Sequence, residues 1–378
     1  MSELRDRSFR RILLIKPSAV GDVVHALPVL VKLRARYPDA RIDWLITPEN
    51  ADLVRHHPDV SNLVLFPRRG FGRTWTGTLG PLRLVAALRR GRYDLVIDLH
   101  GQFRSAACAL ATAAPVRIGF DRPVRRESRA PEIPGQHGWS GAREGSWLTS
   151  THRIAIPTLD VHAVDRYLWL SPMLGLDDAP PDFRVTLTPE ALAENAALLR
   201  ARGVGVEVKP LAVLVPGTIW ETKHWHVEGF AAVGRHLLAS DYAVVLAGTA
   251  RDLPRSRAIA ERASGVVDLC GQTPLAGLVA LIRRAALCVT NDSGSMHLAV
   301  AEGVPVVSVF GPTSSHRIGP YGRPRAVVEA GVPCAPCYLR RLRDCPHHHA
   351  CMTGVSGAMV VERIEEVLAG FAGAAGRL

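Results

Sequence analysis

The sequence predicts an α/β protein of two domains, each a parallel sheet with helices on both faces. Three observations lead there. At 378 residues the chain is too long for one ordinary core and suits two. Short apolar runs alternate with segments whose apolar residues recur at helical spacing. That alternation begins twice, near residue 11 and again near residue 210. Hydrophobic residues make up 47% and aromatics 6%, the balance of an Ala/Val/Leu-rich α/β chain.

The elements follow in order. RILLIK (11–16) is a buried-strand pattern, and after the loop PSAVGD comes the helical VVHALPVLVKLRARYP. RIDWLI (41–46) is a second strand, ADLVRHHP a short helix and NLVLFP (62–67) a third strand. PLRLVAALRRGRY reads as a helix, DLVIDLH (94–100) as a strand, FRSAACALATAA as a helix and VRIGF (116–120) as extended. The stretch 121–153 breaks the pattern. It is rich in Arg, Pro, Gly, Ser and His and reads as an irregular insertion, either a clasp for an acidic ligand or a solvated loop. HAVDRYLWLSPMLGL (162–176) reads as one helix, and DDAPPD (177–182) as the linker. The second half runs PLAVLVPG (210–217) strand, HVEGFAAVGRHLLAS helix, YAVVLAG (242–248) strand, TARDLPRSRAIAERA helix, VVDLCG strand and PLAGLVALIRRA helix. LCVTND (287–292) is then a strand, SGSMHLAVAEG a helix, VPVVSVFGP a strand and SGAMVVERIEEVLAGFAG the closing helix.

Charge and cysteine usage narrow the partners. The formal net charge is +11, and only four of the 46 basic residues are lysine, at 16, 32, 209 and 223. A GC-rich genome accounts for much of the arginine. The surplus also suits an anionic partner such as nucleotide phosphates, an acidic glycolipid or a membrane surface. No helix-turn-helix, zinc-finger or aromatic-rich signature points to nucleic acid. No apolar run reaches the roughly 18 residues a membrane span needs, and the N-terminal apolar core is too short for a signal peptide. The reading is a cytosolic protein whose seven cysteines stay reduced.

Three polar islands each follow a strand and precede a helix, where ligands bind in such sheets. In NDSGSMHL, Ser293 and Gly294 open a helix whose free N–H groups and dipole favour an anion. Ser293 is equally a plain N-cap, and His297, one turn on, either reaches that pocket or is structural. Asp292 ends a buried strand and needs partners, which sugar hydroxyls would supply. In VPGTIWETKHW (215–225), Thr218 and Lys223 form a diphosphate clamp, or Lys223 is a surface lysine beside tryptophan. In KPSAVGDVVHALP (16–28), a single turn glycine excludes the dinucleotide fingerprint. Asp22 there is either a favourable charge in a helix's first turn or a base for an attacking hydroxyl. A fourth cluster, CAPCYLRRLRDCPHHHACM, carries Cys334, Cys337, Cys345 and Cys351. It reads as reduced surface thiols or a structural metal site.

KPSAVGDVVHALPVL, KHW and NDSGSMHLAVAEGVPVVSVFGPT together resemble the motifs of the ADP-heptose–lipopolysaccharide heptosyltransferases in the ninth glycosyltransferase family. The last motif is the most specific. The likeness runs from about residue 11 to the C-terminus and is weakest across 121–160. It implies a GT-B fold, two Rossmann-like domains facing a central cleft. Residues 1–178 would bind the acceptor and 179–378 the nucleotide sugar, and a last helix at about 356–378 can pack back on the first domain. It implies metal-independent, inverting transfer from ADP-L-glycero-D-manno-heptose, the donor substrate, with no cofactor. The acceptor is an anionic lipopolysaccharide inner core, Kdo or the first heptose of Kdo-lipid A, at the inner face of the cytoplasmic membrane. A peripheral monomer that does not bind nucleic acid fits this reading. By position, Asp22 is the catalytic base. Thr218 and Lys223 bind the diphosphate, Asp292, Ser293, Gly294 and His297 hold the donor, and Asp252 is a candidate for the ribose. Where relatives carry a second hydroxyl residue after Thr218, this chain has Ile219. Another donor sugar, a sugar-nucleotide epimerase and a non-catalytic nucleotide-sugar module are the alternatives.

Overall fold

The structure is a computed structural model that describes residues 4–66, 79–124, 138–205 and 208–375. The chain divides into two units. The first holds the described residues of Met1–Arg129 together with Trp139–Thr186, and the second Gly138 with those of Leu187–Leu378. Part of the irregular stretch at 121–153, residues 125–137, lies outside the described residues.

In the first unit six parallel strands run β1 (Arg11–Ile15), β2 (Arg41–Ile46), β3 (Asn62–Leu65), β4 (Leu95–Asp98), β5 (Val116–Phe120) and β6 (His152–Ile154). Their order across the sheet is β3-β2-β1-β4-β5-β6. The helices are α1 (Val20–Arg36), α2 (Leu79–Arg90), α3 (Phe103–Ala111), α4 (Ala163–Leu168) and α5 (Ser171–Leu174). Order reverses between β1 and β4, so the loops leaving these two strands meet there. Leu13, Ile15, Leu45 and Val96 of the sheet pack under Leu88 of α2 and Cys108 and Ala109 of α3.

The helix expected over 162–176 is two short helices. Pro172 sits at the start of α5. It has no N–H to bond back to Leu168, so α4 cannot continue through it. The linker motif is tied down at its start: the buried Lys32 ammonium on α1 donates to the Asp177 carboxylate at 2.6 Å and to the Ala179 carbonyl at 2.6 Å.

The second unit opens with α6 (Pro189–Ala201), whose N-cap Thr188 accepts the Ala191 N–H. Its strands are β7 (Leu211–Val215), β8 (Ala243–Leu246), β9 (Val267–Asp268), β10 (Leu287–Asn291), β11 (Val306–Phe310) and β12 (Val327–Glu329). All are parallel, in the order β12-β11-β10-β7-β8-β9. The helices are α7 (Val227–Ala239), α8 (Leu253–Arg262), α9 (Leu275–Arg284), α10 (Gly294–Ala301), α11 (Ser315–Ile318), α12 (Ala350–Thr353) and α13 (Gly357–Ala375). The reversal here lies between β7 and β10, with Thr290 beside Val215. The closing helix α13 packs on α7, β11 and β12 of its own unit.

Candidate active site

The second unit gathers its polar residues where β7 and β10 end side by side. Asn291, wholly buried at the tip of β10, is the joint. Its Oδ1 accepts the Trp225 N–H at 3.0 Å, and its Nδ2 donates to the Pro216 carbonyl at 2.8 Å. One side chain thus fixes both ends of the 216–225 loop. Thr218 donates to the Asp292 carbonyl at 3.2 Å. The Lys223 ammonium lies 2.6 Å from Asp292 Oδ2, with 12% and 5% of the two side chains exposed. Thr313 donates to the same oxygen at 2.5 Å. The Trp220 ring carries the Lys223 ammonium at 4.4 Å and the Arg340 guanidinium at 4.7 Å. A nearly buried lysine is therefore oriented by one carboxylate and one ring.

Ser293 stands at the N-cap position of α10 yet makes no capping hydrogen bond. Its Oγ is buried and has no hydrogen-bond partner among the described residues. A buried hydroxyl left so costs free energy that a ligand oxygen would recover. Gly294 is the first residue of α10, and His297 is buried one turn into it. The Asp252 carboxylate accepts the Thr249 N–H and hydroxyl, each at 2.8 Å. It lies over the β7 loop so closely that a Cβ on Gly217 would sit 2.5 Å from its oxygens. The structure thus brings Thr218, Lys223, Asp292, Ser293 and Gly294 into one corner, with Asp252 against Gly217. Asn291, Thr313 and Trp220 lie within the sequence motifs but receive no role from them, and Arg340 is not singled out there.

The first unit holds a second polar cluster at its own reversal point. Asp22 lies in the first turn of α1, where its Oδ2 accepts the Ala19 N–H at 3.2 Å. Its Oδ1 accepts the Tyr167 phenol at 3.1 Å and lies 3.5 Å from the Lys16 ammonium. The Asp22 side chain is 46% exposed, so an incoming hydroxyl can reach it. Lys16 itself is buried, donates to the Leu99 carbonyl at 3.1 Å and stands 4.8 Å over the Tyr167 ring. Burial pushes the Asp22 carboxyl up, but Lys16, the Ala19 N–H, His100 and Tyr167 outweigh it and hold it below the usual carboxylate value. Burial likewise pulls the Lys16 ammonium down, and Asp22 and Tyr167 more than restore it. Both groups are charged at neutral pH. The phenol, raised by burial and by Asp22, keeps its proton.

The cysteine segment adjoins the polar cluster of the second unit: it carries Arg340, and Thr222 donates to its Leu339 carbonyl at 2.6 Å. Cys334, Cys337, Cys345 and Cys351 are free thiols lining, with His347, a cavity of about 20 Å³. Among the described residues no group of three or more His, Cys, Asp or Glu is arranged to hold a metal ion. Burial pushes the Cys351 thiol up to about 12, so it stays protonated.

Solved structures place the fold. A family 9 glycosyltransferase from Veillonella parvula superposes with a TM-score of 0.76 at 20% identity, covering 98% of this chain and all of that one. The Escherichia coli heptosyltransferase WaaC with ADP gives 0.71 at 24% identity over 94% of this chain and 99% of its own. The fold is therefore that of the GT-B heptosyltransferases. Among curated proteins, lipopolysaccharide heptosyltransferase 1 of Pseudomonas aeruginosa is 29% identical over 86% of each chain. Lipopolysaccharide heptosyltransferase 2 of Escherichia coli is 29% identical over 84% of this chain and 87% of its own. The model of glycosyltransferase family 9 (heptosyltransferase) matches residues 81–345, more than half of the chain, and the protein is a glycosyltransferase belonging to that family.

Proposed function

We propose that the chain transfers a heptose from ADP-L-glycero-D-manno-heptose to a hydroxyl of the lipopolysaccharide inner core, Kdo or an attached heptose, with inversion at the anomeric carbon. One observation supports this above others: the switch point of each sheet carries the group such a transfer needs. Asp22 is ionised, oriented and open to a hydroxyl. In the second unit, Lys223 stands beside a helix N-terminus whose Ser293 Oγ lacks a partner.

The acceptor oxygen attacks the anomeric carbon, and the bond to the diphosphate breaks with its electron pair going to ADP. Asp22 takes the acceptor's proton. Lys223, the Thr218 hydroxyl and the first amides of α10 meet the charge that develops on the diphosphate. Lys223 and Thr313, the Asp292 carboxylate's partners among the described residues, both sit on Oδ2, and Oδ1 is assigned to a donor hydroxyl. Ser293 and Gly294 take the donor at the helix N-terminus, with His297 behind them, and Asp252 takes the ribose. Every group invoked is carried by one chain, so the reading needs no second copy.

The acceptor is a lipid, and the reading includes peripheral attachment to the inner face of the cytoplasmic membrane. Among the described residues no helix is long and apolar enough to cross a membrane. The outward faces of α2 and α3 support surface attachment. Leu82, Val85, Phe103 and Leu110 are exposed there among Arg83, Arg89, Arg90 and Arg104, and neither helix carries an acid.

The test is Asp22→Asn assayed with ADP-heptose and a core acceptor. Turnover should fall by about 10²–10⁴, the usual worth of a general base. Calorimetric binding of ADP-heptose should stay as in the wild type. Turnover at the wild-type rate would remove Asp22 from the mechanism, and release of free heptose or an epimer without acceptor would point to a different reaction.

A further inference from the structure

Tyr167 is a side chain of the Asp22 cluster that the reaction, as described so far, does not use. Tyr167 lies on α4, 145 residues beyond Asp22 in sequence. It is 3% exposed, and its ring is held against Phe120 at 6.1 Å between centroids. An ionised carboxylate offers about four acceptor positions, two on each oxygen. On Oδ1 the phenol takes one at 3.1 Å and the Lys16 ammonium lies against the other at 3.5 Å. On Oδ2 the Ala19 N–H takes one at 3.2 Å. Among the described contacts Oδ2 thus carries fewer donors than Oδ1, with the His100 charge also acting on the carboxylate.

We propose that Tyr167 is a positioning residue for the transfer: its phenol, working with the Lys16 ammonium, locks Asp22 through Oδ1 so that the acceptor's proton is delivered to Oδ2. The inference rests on the reading of Asp22 as the base. Its supports are rigid. Lys16 follows directly on β1 and is bonded to the Leu99 carbonyl beyond β4, and Tyr167 is fixed within α4. In the step itself the acceptor O–H bond breaks, the new carbon–oxygen bond forms, the diphosphate leaves with the bonding pair, and the proton ends on Oδ2. Tyr167 keeps its own proton throughout. A carboxylate stabilised by these donors is a weak base. It accepts the proton only once bond formation has made the hydroxyl acidic, and at that stage position counts for more than basicity.

That gives a distinctive sign. Tyr167→Phe removes one hydrogen bond to the carboxylate and so makes Asp22 the stronger base, yet the variant should be slower. A hydrogen bond to a charged group corresponds to a loss in kcat of about tenfold to a hundredfold. KM for ADP-heptose should stay within about twofold, because the donor is bound elsewhere. The acid limb of the kcat profile should move to higher pH, and the Asp22 carboxyl titration, followed by NMR, should move with it. In an Asp22→Asn background, Tyr167→Phe should cost nothing further. Unchanged kcat and acid limb in Tyr167→Phe, or a loss confined to KM, would overturn the inference while an inactive Asp22→Asn kept the base assignment. An active Asp22→Asn would remove both. Circular dichroism and the melting midpoint of Tyr167→Phe separate a folding defect from either result, and the NMR titration does not depend on turnover.

Discussion

Lys223 and Asp292 illustrate how much one pair of side chains decides. At 2.6 Å and nearly buried, the pair is stabilised by mutual attraction only while both members are present. Lys223→Met leaves a buried carboxylate with Thr313 as its remaining partner, and should lower stability by about 3–5 kcal/mol in urea titrations. ADP affinity should fall as well, since the cation paired with Asp292 beside the helix N-terminus is gone. If the variant kept wild-type ADP affinity, Lys223 would be purely structural. Residues of this kind were partly legible in the sequence. Lys223 stood out because lysine is scarce, Asp292 because a carboxylate ending a buried strand needs partners, and Asp22 because it falls in the first turn of a helix after a strand and loop. Tyr167 and Thr313 gave no such signal. Each acts on a residue far along the chain, and DRYLW reads as ordinary amphipathic helix until the fold brings it to Asp22.

At the level of elements, apolar period located the interior strands and one edge of each sheet, β3 and β9, and missed the other edge, β6 and β12. β6 and β12 are three residues each, HRI and VVE, too short and too polar to show a buried run. Edge strands of this kind pair on one side only and need no apolar sequence to do so. The helix over 162–176 was overextended because its apolar spacing continues past Pro172, where the backbone hydrogen bonding cannot. The joint between β7 and β10 depends on a residue whose importance no periodicity reveals. Asn291→Ala removes the partners of the Trp225 N–H and the Pro216 carbonyl together. Each orphaned buried group costs about 1–3 kcal/mol, so the variant should lose about 2–6 kcal/mol. The loop bearing Thr218 and Lys223 should also loosen, giving faster hydrogen exchange at 216–225. Wild-type exchange in that loop would show that other contacts hold it.

At the level of the molecule, the sequence showed two alternating halves, and the structure has one six-stranded parallel sheet in each unit. The net charge of +11 had two readings, genome composition or an anionic partner, and only placement separates them. The arginines of α2 and α3 sit beside exposed apolar residues, with Leu82 62% and Phe103 63% exposed, and Arg89 donates to the Ala111 carbonyl to join the two helices. Apolar side chains set among cations on neighbouring helices are the pattern of an interfacial surface, each arginine near an anionic bilayer contributing about 1 kcal/mol. The protein should therefore sediment with phosphatidylglycerol vesicles and not with phosphatidylcholine ones. High salt should weaken this binding without abolishing it, because screening removes the charge contribution and leaves the apolar one. Leu82→Asp combined with Phe103→Asp should release the protein from vesicles while turnover on a lipid-free core acceptor stays unchanged, since neither residue belongs to the Asp22 or Lys223 cluster. A double variant that sedimented like the wild type would move the membrane contact to another face. Equal binding to neutral vesicles would mean that the arginine excess reflects composition alone.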